Sequence, residues 1–280
     1  VCVNMTYDEI WTIQDFVRLD VMNILNFTPP DANNHIINTL LVKFLFSFGH
    51  DAPWIARLPN VLAFMLYLYY AFKLSKDFVT GWAGYCAFLL LTLNPFLLDF
   101  FSLSRGYGLS AGFQLVSIYY LLFYFREKTA KYSCLSLVFG GLAVLSNFSV
   151  LNYWIVILGV IAMSAVLFRK EFKARKVLIS SGIVSIVLAL LIYEPIRKLR
   201  KNGNFYYGGE DGFYSDTLVS LTKYSLYDPE VNPLVFVVLN LFLALIVLAL
   251  VLSIRRETLR KLSPKHVMIV VLIFSIASVV

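Results

Sequence analysis

An adjacent acidic pair, Asp8-Glu9, stands in a polar stretch ahead of the first long apolar run. A carboxylate at the lip of an apolar bundle can take a proton from an attacking hydroxyl, a general-base role worth typically ~10²–10⁴-fold. The competing use is structural: acidic residues favour the first turn of a helix, here one beginning near Ile10. Other groups could work with the pair. Asn33-Asn34-His35 offers amides and an imidazole to sugar hydroxyls or to a divalent metal, while Asn33 or Asn34 could instead cap a following helix. Arg57 opens Arg57-Leu58-Pro59-Asn60, and Arg105 lies in Ser104-Arg105-Gly106-Tyr107-Gly108 with Asp99 shortly before it. A planar guanidinium suits bidentate phosphate contact. An ion pair with Asp99 is the alternative for Arg105, and an interfacial anchor the alternative for Arg57. Farther on, Arg197 and Lys198 begin a basic cluster. The segment 202–214, NGNFYYGGEDGFY, sets Glu210 and Asp211 among glycines and aromatic rings that can stack on sugars or rest at a membrane interface.

The elements that must position these residues are read from hydropathy. The chain has 280 residues, 59% hydrophobic and 15% charged, against about 25% charged in soluble proteins. That marks an all-α polytopic membrane protein. The net charge of +7 comes largely from lysines and arginines in short loops, which points to topology control and away from nucleic acid. Cys2, Cys86 and Cys134 show neither metal nor disulfide spacing.

Eight apolar segments are expected to span: 56–73, 79–98, 104–125, 132–147, 150–168, 177–194, 232–254 and 267–280. The stretch 132–168 has no charged residue in 37 positions. As one helix it would run about 55 Å, well beyond a roughly 30 Å hydrocarbon core, so a turn is expected at Ser146-Asn147-Phe148-Ser149. Loops 126–131, 169–176 and 255–266 are basic and fall on one side with Lys73 and Lys76, which makes that side cytoplasmic. Segment 1–55 and loop 195–231 then face outward. Arg197, Lys198, Arg200 and Lys201 run against this pattern and suggest phosphate or headgroup contact. Residues 10–25 place Ile10, Ile13, Phe16, Val17, Val21, Ile24 and Leu25 near one face, as in an amphipathic surface helix. A second helix is expected over 34–48, ending at Gly49. The organisation expected is therefore an outer-face segment 1–55 bearing the candidate site and a transmembrane bundle over 56–280. Both ends read as cut: Val1 is not Met, and segment 267–280 is short for a span.

On these residues the chain resembles the GT-C superfamily of membrane glycosyltransferases. The nearer resemblance is to the branch with protein O-mannosyltransferases, the lipid A aminoarabinose transferase and RgtA-like proteins. Asp8-Glu9 in the first outer segment, the amphipathic stretch after it, and the runs NNHIINTLLVKFLFSFG, WIARLPNVLA and SLSRGYGLS carry the resemblance. It covers roughly residues 7–125, with hydropathy alone beyond. Many members have His-Pro-Pro where this chain has His35-Ile36-Ile37. The resemblance implies an inverting transferase that moves a sugar from a polyprenyl-phosphate donor to a hydroxyl of a lipid, glycan or protein. The implied site faces the non-cytoplasmic side of a bacterial inner membrane, or of the endoplasmic reticulum in a eukaryote. Asp8, with Glu9 second, is the implied base. Arg105, Arg57, Arg197 and Lys198 are the implied phosphate ligands. Asn33, Asn34, His35, Asp99, Tyr107, Glu210 and Asp211 are the implied substrate contacts. The resemblance fixes no cofactor and leaves a divalent metal open.

Two other classes compete. A transporter or flippase of lipid-linked sugars would place ionisable residues near the bilayer midplane, on broken helices and in repeated halves. Here the charges sit at helix ends, no repeat is visible, and Asn94-Pro95 is the one obvious mid-span irregularity. A membrane assembly subunit without catalysis is the third class.

Overall fold

The computed structural model describes residues 4–49, 51–78, 82–204, 219–226, 232–238 and 240–241. Among the described residues the chain is all-helical, with no strand. Two compact units divide it, residues 1–206 and 207–280. In the second, α11 (Ser220–Leu226) and a helical stretch over 233–238 are described. Everything that follows concerns the first.

The outer segment is three short pieces where one amphipathic helix was expected. Helix α1 (Tyr7–Trp11) starts at Thr6, whose side chain accepts from the Glu9 amide while the Glu9 carboxylate accepts from the Thr6 amide. This reciprocal capping satisfies two amides that a helix start leaves open. A π-helical turn, Thr12–Val17, and then α2 (Val21–Leu25) follow. Phe16, Val17 and Ile24 are buried, but Ile10 and Val21, expected on the same apolar face, are exposed. Helix α3 (Ile36–Phe46) is shorter than its expected span and takes His35 as N-cap residue, without a side-chain cap bond. The asparagines expected to cap it are used otherwise. The Asn34 amide donates to the Ile24 carbonyl, and its oxygen accepts from the Thr39 hydroxyl.

Among the described residues, four helical segments are long and apolar enough to cross a membrane: α4 (Pro53–Phe78), α7 (Gly106–Glu127), the stretch Phe148–Leu167 and α10 (Ala174–Lys201). The expected single span over 79–98 is instead broken into α5 (Trp82–Thr92) and α6 (Pro95–Ser102). Pro95 lacks an amide and opens the second piece, whose start is capped by the Asn94 side chain accepting from the Leu97 amide. Helix α8 (Ala130–Ser146) has 17 residues, about 26 Å at ~1.5 Å per residue, and so falls short of the hydrocarbon core. The uncharged stretch divides at the expected place. Helix α8 ends at Ser146, a 3₁₀ turn covers Phe148–Val150, and α9 (Leu151–Leu167) begins. Helix α10 runs through Pro195 to Lys201, so residues 195–201, expected in an outer loop, are its last two turns. The basic cluster there suits the partial negative charge at a helix C-terminus. The remainder of the segments expected over 232–254 and 267–280, and loop 255–266, lie outside the described residues.

Helix α7 is central, packed most extensively on α8 and next on α4. Ala63, Tyr67, Ala71, Phe101, Leu109 and Leu115 form a buried cluster between α4, α6 and α7. In lipid, water drives no association between apolar helices, so small residues and interhelical hydrogen bonds matter more. Ser117 and Ser136 exchange hydroxyl-to-carbonyl bonds of 2.7 and 3.0 Å between α7 and α8. The Trp154 indole of α9 donates to the Leu137 carbonyl of α8 at 2.9 Å.

The turns sort to two ends of the unit. At one end the Arg126 guanidinium lies over the Phe78 and Phe123 rings, and Lys128 pairs with Glu171. This gathers the end of α4 with the α7–α8 and α9–α10 turns. The first residues of α4 and α7 and the last of α8 and α10 gather at the other end, with the outer segment.

That second end is packed tightly enough to test. A methyl group on Gly106 would overlap the Ser146 carbonyl oxygen and come within 2.7 Å of His35 Cγ, whereas one on Gly182 meets nothing within 4 Å. Gly106→Ala is expected to lower stability by roughly 3 kcal/mol or more, because the clash is with backbone. Gly182→Ala should stay within about 1 kcal/mol of the parent or gain. Thermal midpoints of the two purified variants check this.

Candidate functional site

The two acids of the adjacent pair have opposite surroundings. Residue Glu9 is fully buried, with 0% of its side chain exposed. Arg57 of α4 grips it with two parallel bonds, Nε to Oε1 and Nη2 to Oε2, each 2.8 Å. The Ser104 amide donates to Oε1 at 2.7 Å, and the Thr6 amide to Oε2 at 2.8 Å. Burial alone would push this carboxyl up. The Arg57 bond and the two amides overcome that and hold it well below the usual range, at about 2. A carboxylate so fully bonded is a poor proton acceptor, so Glu9 serves here as a fastener between α1, α4 and the α6–α7 link.

That link, Leu103 to Arg105, is extended and pinned along its length. The Ser104 hydroxyl donates to the Ala56 carbonyl at 2.8 Å, and the Asn38 amide donates to the Ser104 carbonyl at 3.2 Å. The Asn60 amide donates to Asn38 Oδ1 at 2.9 Å, and Asn60 Oδ1 accepts from the Leu109 amide at 3.1 Å. Both asparagines are buried, and each polar atom used is one that burial would otherwise penalise.

Arg105 emerges from this pinned link as the N-cap residue of α7 with only 8% of its side chain exposed. Its partner is Asp8, rather than Asp99 across the local turn. The Asp8 Oδ2 to Arg105 Nη1 pair leaves the Asp8 side chain 48% exposed. Arg105 Nη2 also donates to Asn33 Oδ1 at 3.0 Å and to the Tyr107 hydroxyl at 3.2 Å, and its plane lies 5.1 Å from the Tyr107 ring centre. Asp99 is exposed on α6.

Beside Tyr107 lies a cavity of about 280 Å³, lined among others by His35, Tyr107, Leu145, Phe148, Ser149 and Leu199. His35 meets Tyr107 edge-on at 5.1 Å. Its Nδ1 is 2.9 Å from the Ser146 carbonyl; a carbonyl only accepts, so Nδ1 carries the proton and Nε2 presents a lone pair. That Nε2 is buried and bonded to no protein atom. Burial, and next the positive charge of Arg105, drive the imidazole down to about 3 against the bond to Ser146, so it is neutral at ordinary pH.

The remaining residues singled out in the sequence fall in different places. Arg57 is engaged by Glu9, and Lys198 binds the Asn26 carbonyl at 2.6 Å and the Thr28 hydroxyl at 2.7 Å, tying α10 to the outer segment. Arg197 is exposed and pairs with Glu194 one turn away. Glu210 and Asp211 lie outside the described residues. Among the described residues no group of three or more His, Cys, Asp or Glu could hold a metal ion. Thr6, Asn38 and Ser146 are functional supports that sequence reasoning passed over. The spacing Thr6-x-x-Glu9 was a readable capping signal and Ser146 was marked only as the start of a turn, whereas nothing local marks Asn38. Comparison with protein-family models, with curated proteins and with solved structures finds no match.

Two outcomes follow from this geometry. Removing one partner of a buried pair strands the other charge, at about 3–5 kcal/mol. Arg57→Ala is therefore expected to lower the thermal midpoint sharply or abolish folding, while Arg197→Ala leaves it unchanged. Acid sensitivity should come in two windows. His35 is depressed in the folded chain from 6.5 to about 3, so the unfolded chain binds the extra proton and stability falls as pH drops below 6.5. Glu9, depressed from 4.5 to about 2, adds a second loss between those values. His35→Gln should flatten the midpoint between pH 6.5 and 4.5 relative to the parent, as differential scanning fluorimetry would report.

Proposed function

We propose that this protein is an inverting glycosyltransferase. It would take a sugar from a polyprenyl-phosphate donor and pass it to a hydroxyl on a lipid, glycan or protein at the non-cytoplasmic face of its membrane. The observation that carries the reading is the division of labour within Asp8-Glu9. One acid is buried and fully bonded, while its neighbour is half-exposed and paired with a buried arginine that also bonds Tyr107, a residue of the cavity wall. The resemblance over residues 7–125 supports the same assignment. In this reading the fold is an eight-span bundle. Segment 79–98 would cross as the broken pair α5–α6, α8 as a short span, and 232–254 and 267–280 as the last two. The bacterial inner membrane fits best, with the basic turns on the cytoplasmic side.

In the reaction the acceptor oxygen attacks the anomeric carbon from the face opposite the phosphate. The bond from that carbon to the phosphate oxygen breaks, and its electron pair leaves with polyprenyl phosphate. The acceptor proton passes to the Asp8 carboxylate. Phosphate is a good leaving group and needs charge stabilisation more than protonation. Arg105 supplies positive charge there and orients Asp8, and its planar guanidinium suits both tasks. Asn33 and Tyr107 fix the guanidinium in turn.

The test is the full chain incubated with a panel of radiolabelled polyprenyl-phosphate sugars and host membrane extract. Asp8→Asn should lose at least ~10²-fold in transfer rate, measured on protein whose cooperative thermal transition shows it folded. Transfer at the parent rate in that variant removes the base assignment.

A further inference from the structure

We infer that the cavity beside Tyr107 binds an uncharged, hydroxylated ring, one of whose hydroxyls donates to His35 Nε2, and that it rejects the amino and carboxylate counterparts of that ring. The inference rests on the glycosyltransferase reading for its biological meaning, and identifies the substrate group as a neutral sugar.

The orphaned atom carries the argument. His35 is 6% exposed, and its Nε2 is one of few buried side-chain atoms without a protein partner. Leaving a buried acceptor unmade is costly, a loss that a ligand hydroxyl would recover. The proton on His35 is committed to the Ser146 carbonyl, so the ring can only accept through Nε2. Asn34 beside it is already committed on both sides, to the Ile24 carbonyl and the Thr39 hydroxyl. The inner wall therefore offers acceptors and suits a donor such as a hydroxyl.

Charge is excluded from both directions. None of the lining residues is charged. An ammonium group would enter with no carboxylate to meet it and with Arg105 close behind Tyr107, whose guanidinium already bonds the Tyr107 hydroxyl. A carboxylate would face the His35 lone pair, and no lining residue is a cation to meet it. An unpaired charge in such a space is costly. The walls also suit a ring. Tyr107, Phe148, Leu145 and Leu199 give apolar faces, and Ser149 and Asn147 give polar edges at the rim. The volume of about 280 Å³ falls at the small end of the roughly 300–1,000 Å³ of small-molecule pockets, which suits a single ring.

The experiment is saturation-transfer NMR on the full chain in nanodiscs. The probes are methyl glycosides of neutral hexoses and their 2-amino and uronate counterparts at matched concentration. Neutral glycosides are expected to give signals at least tenfold stronger than charged ones. His35→Phe should abolish the signal, and Ser149→Trp, a change at the exposed rim that closes the mouth, should abolish it with the fold intact. Asp8→Asn should retain it. Equal signals from charged probes, no neutral binding, or unchanged binding in folded Ser149→Trp overturns the inference. Such a failure alongside normal sugar transfer from polyprenyl donors would leave the glycosyltransferase reading standing. Loss of transfer with neutral binding intact would do the reverse.

Discussion

A buried carboxylate organises the outer end of this protein. Glu9 is removed from water, and that is tolerable because five donors converge on it: two from Arg57, the amides of Ser104 and Thr6, and the Thr6 hydroxyl. Those donors come from three separate segments. Satisfying one charge therefore brings the first helix, the start of α4 and the extended link before α7 to a common point. Such a pair is weak evidence for net stability, since its desolvation offsets much of its attraction. Its value is geometric. A planar fork and two fixed amides define one position, and the neighbouring side chains inherit it.

The inheritance can be followed residue by residue. With Ser104 held by Glu9, Ala56 and Asn38, the next residue must project Arg105 towards the segment that carries Asp8 and Asn33. Two residues on, Tyr107 meets both Arg105 and His35. Gly106, between them, lets α7 approach the end of α8 closely enough for His35 to reach the Ser146 carbonyl. Fastener, ion pair, aromatic wall and neutral imidazole thus form one connected structure. Asp8 stands at its open side, the member left half in water.

Much of this architecture was legible in the sequence, and the failures share a cause. The helical bundle, the turn at 146–149 and the grouping of polar residues before α4, before α7 and near His35 all follow from local hydropathy and composition. The roles within the acidic pair did not. Successive helical residues point about 100° apart, so the two meet different surroundings, and only the distant Arg57 decides which of them is buried. For Arg105 the alternative to phosphate was a local partner, Asp99, whereas its partner in the fold comes from the start of the chain. Asn34 reads as a helix cap by residue type, yet tertiary bonds to Ile24 and Thr39 claim it. The break at Asn94-Pro95 was visible as an irregularity inside an apolar run. Its consequence, two short helices in place of one span, depends on the cap that Asn94 makes. Local pattern fixes what a segment is, and long-range pairing fixes what its polar residues do.

The central claim is that Asp8, held beside Arg105 by the Glu9 fastener, faces the reacting carbon. The most direct test is a cryo-electron microscopy map of the full chain with an unreactive polyprenyl phosphonate sugar. The account predicts the phosphonate beside Arg105, the anomeric carbon facing the Asp8 carboxylate across a gap wide enough for an acceptor hydroxyl, and Glu9 still bonded to Arg57. Analogue density elsewhere, with the Asp8–Arg105 pair away from the ligand, would contradict it.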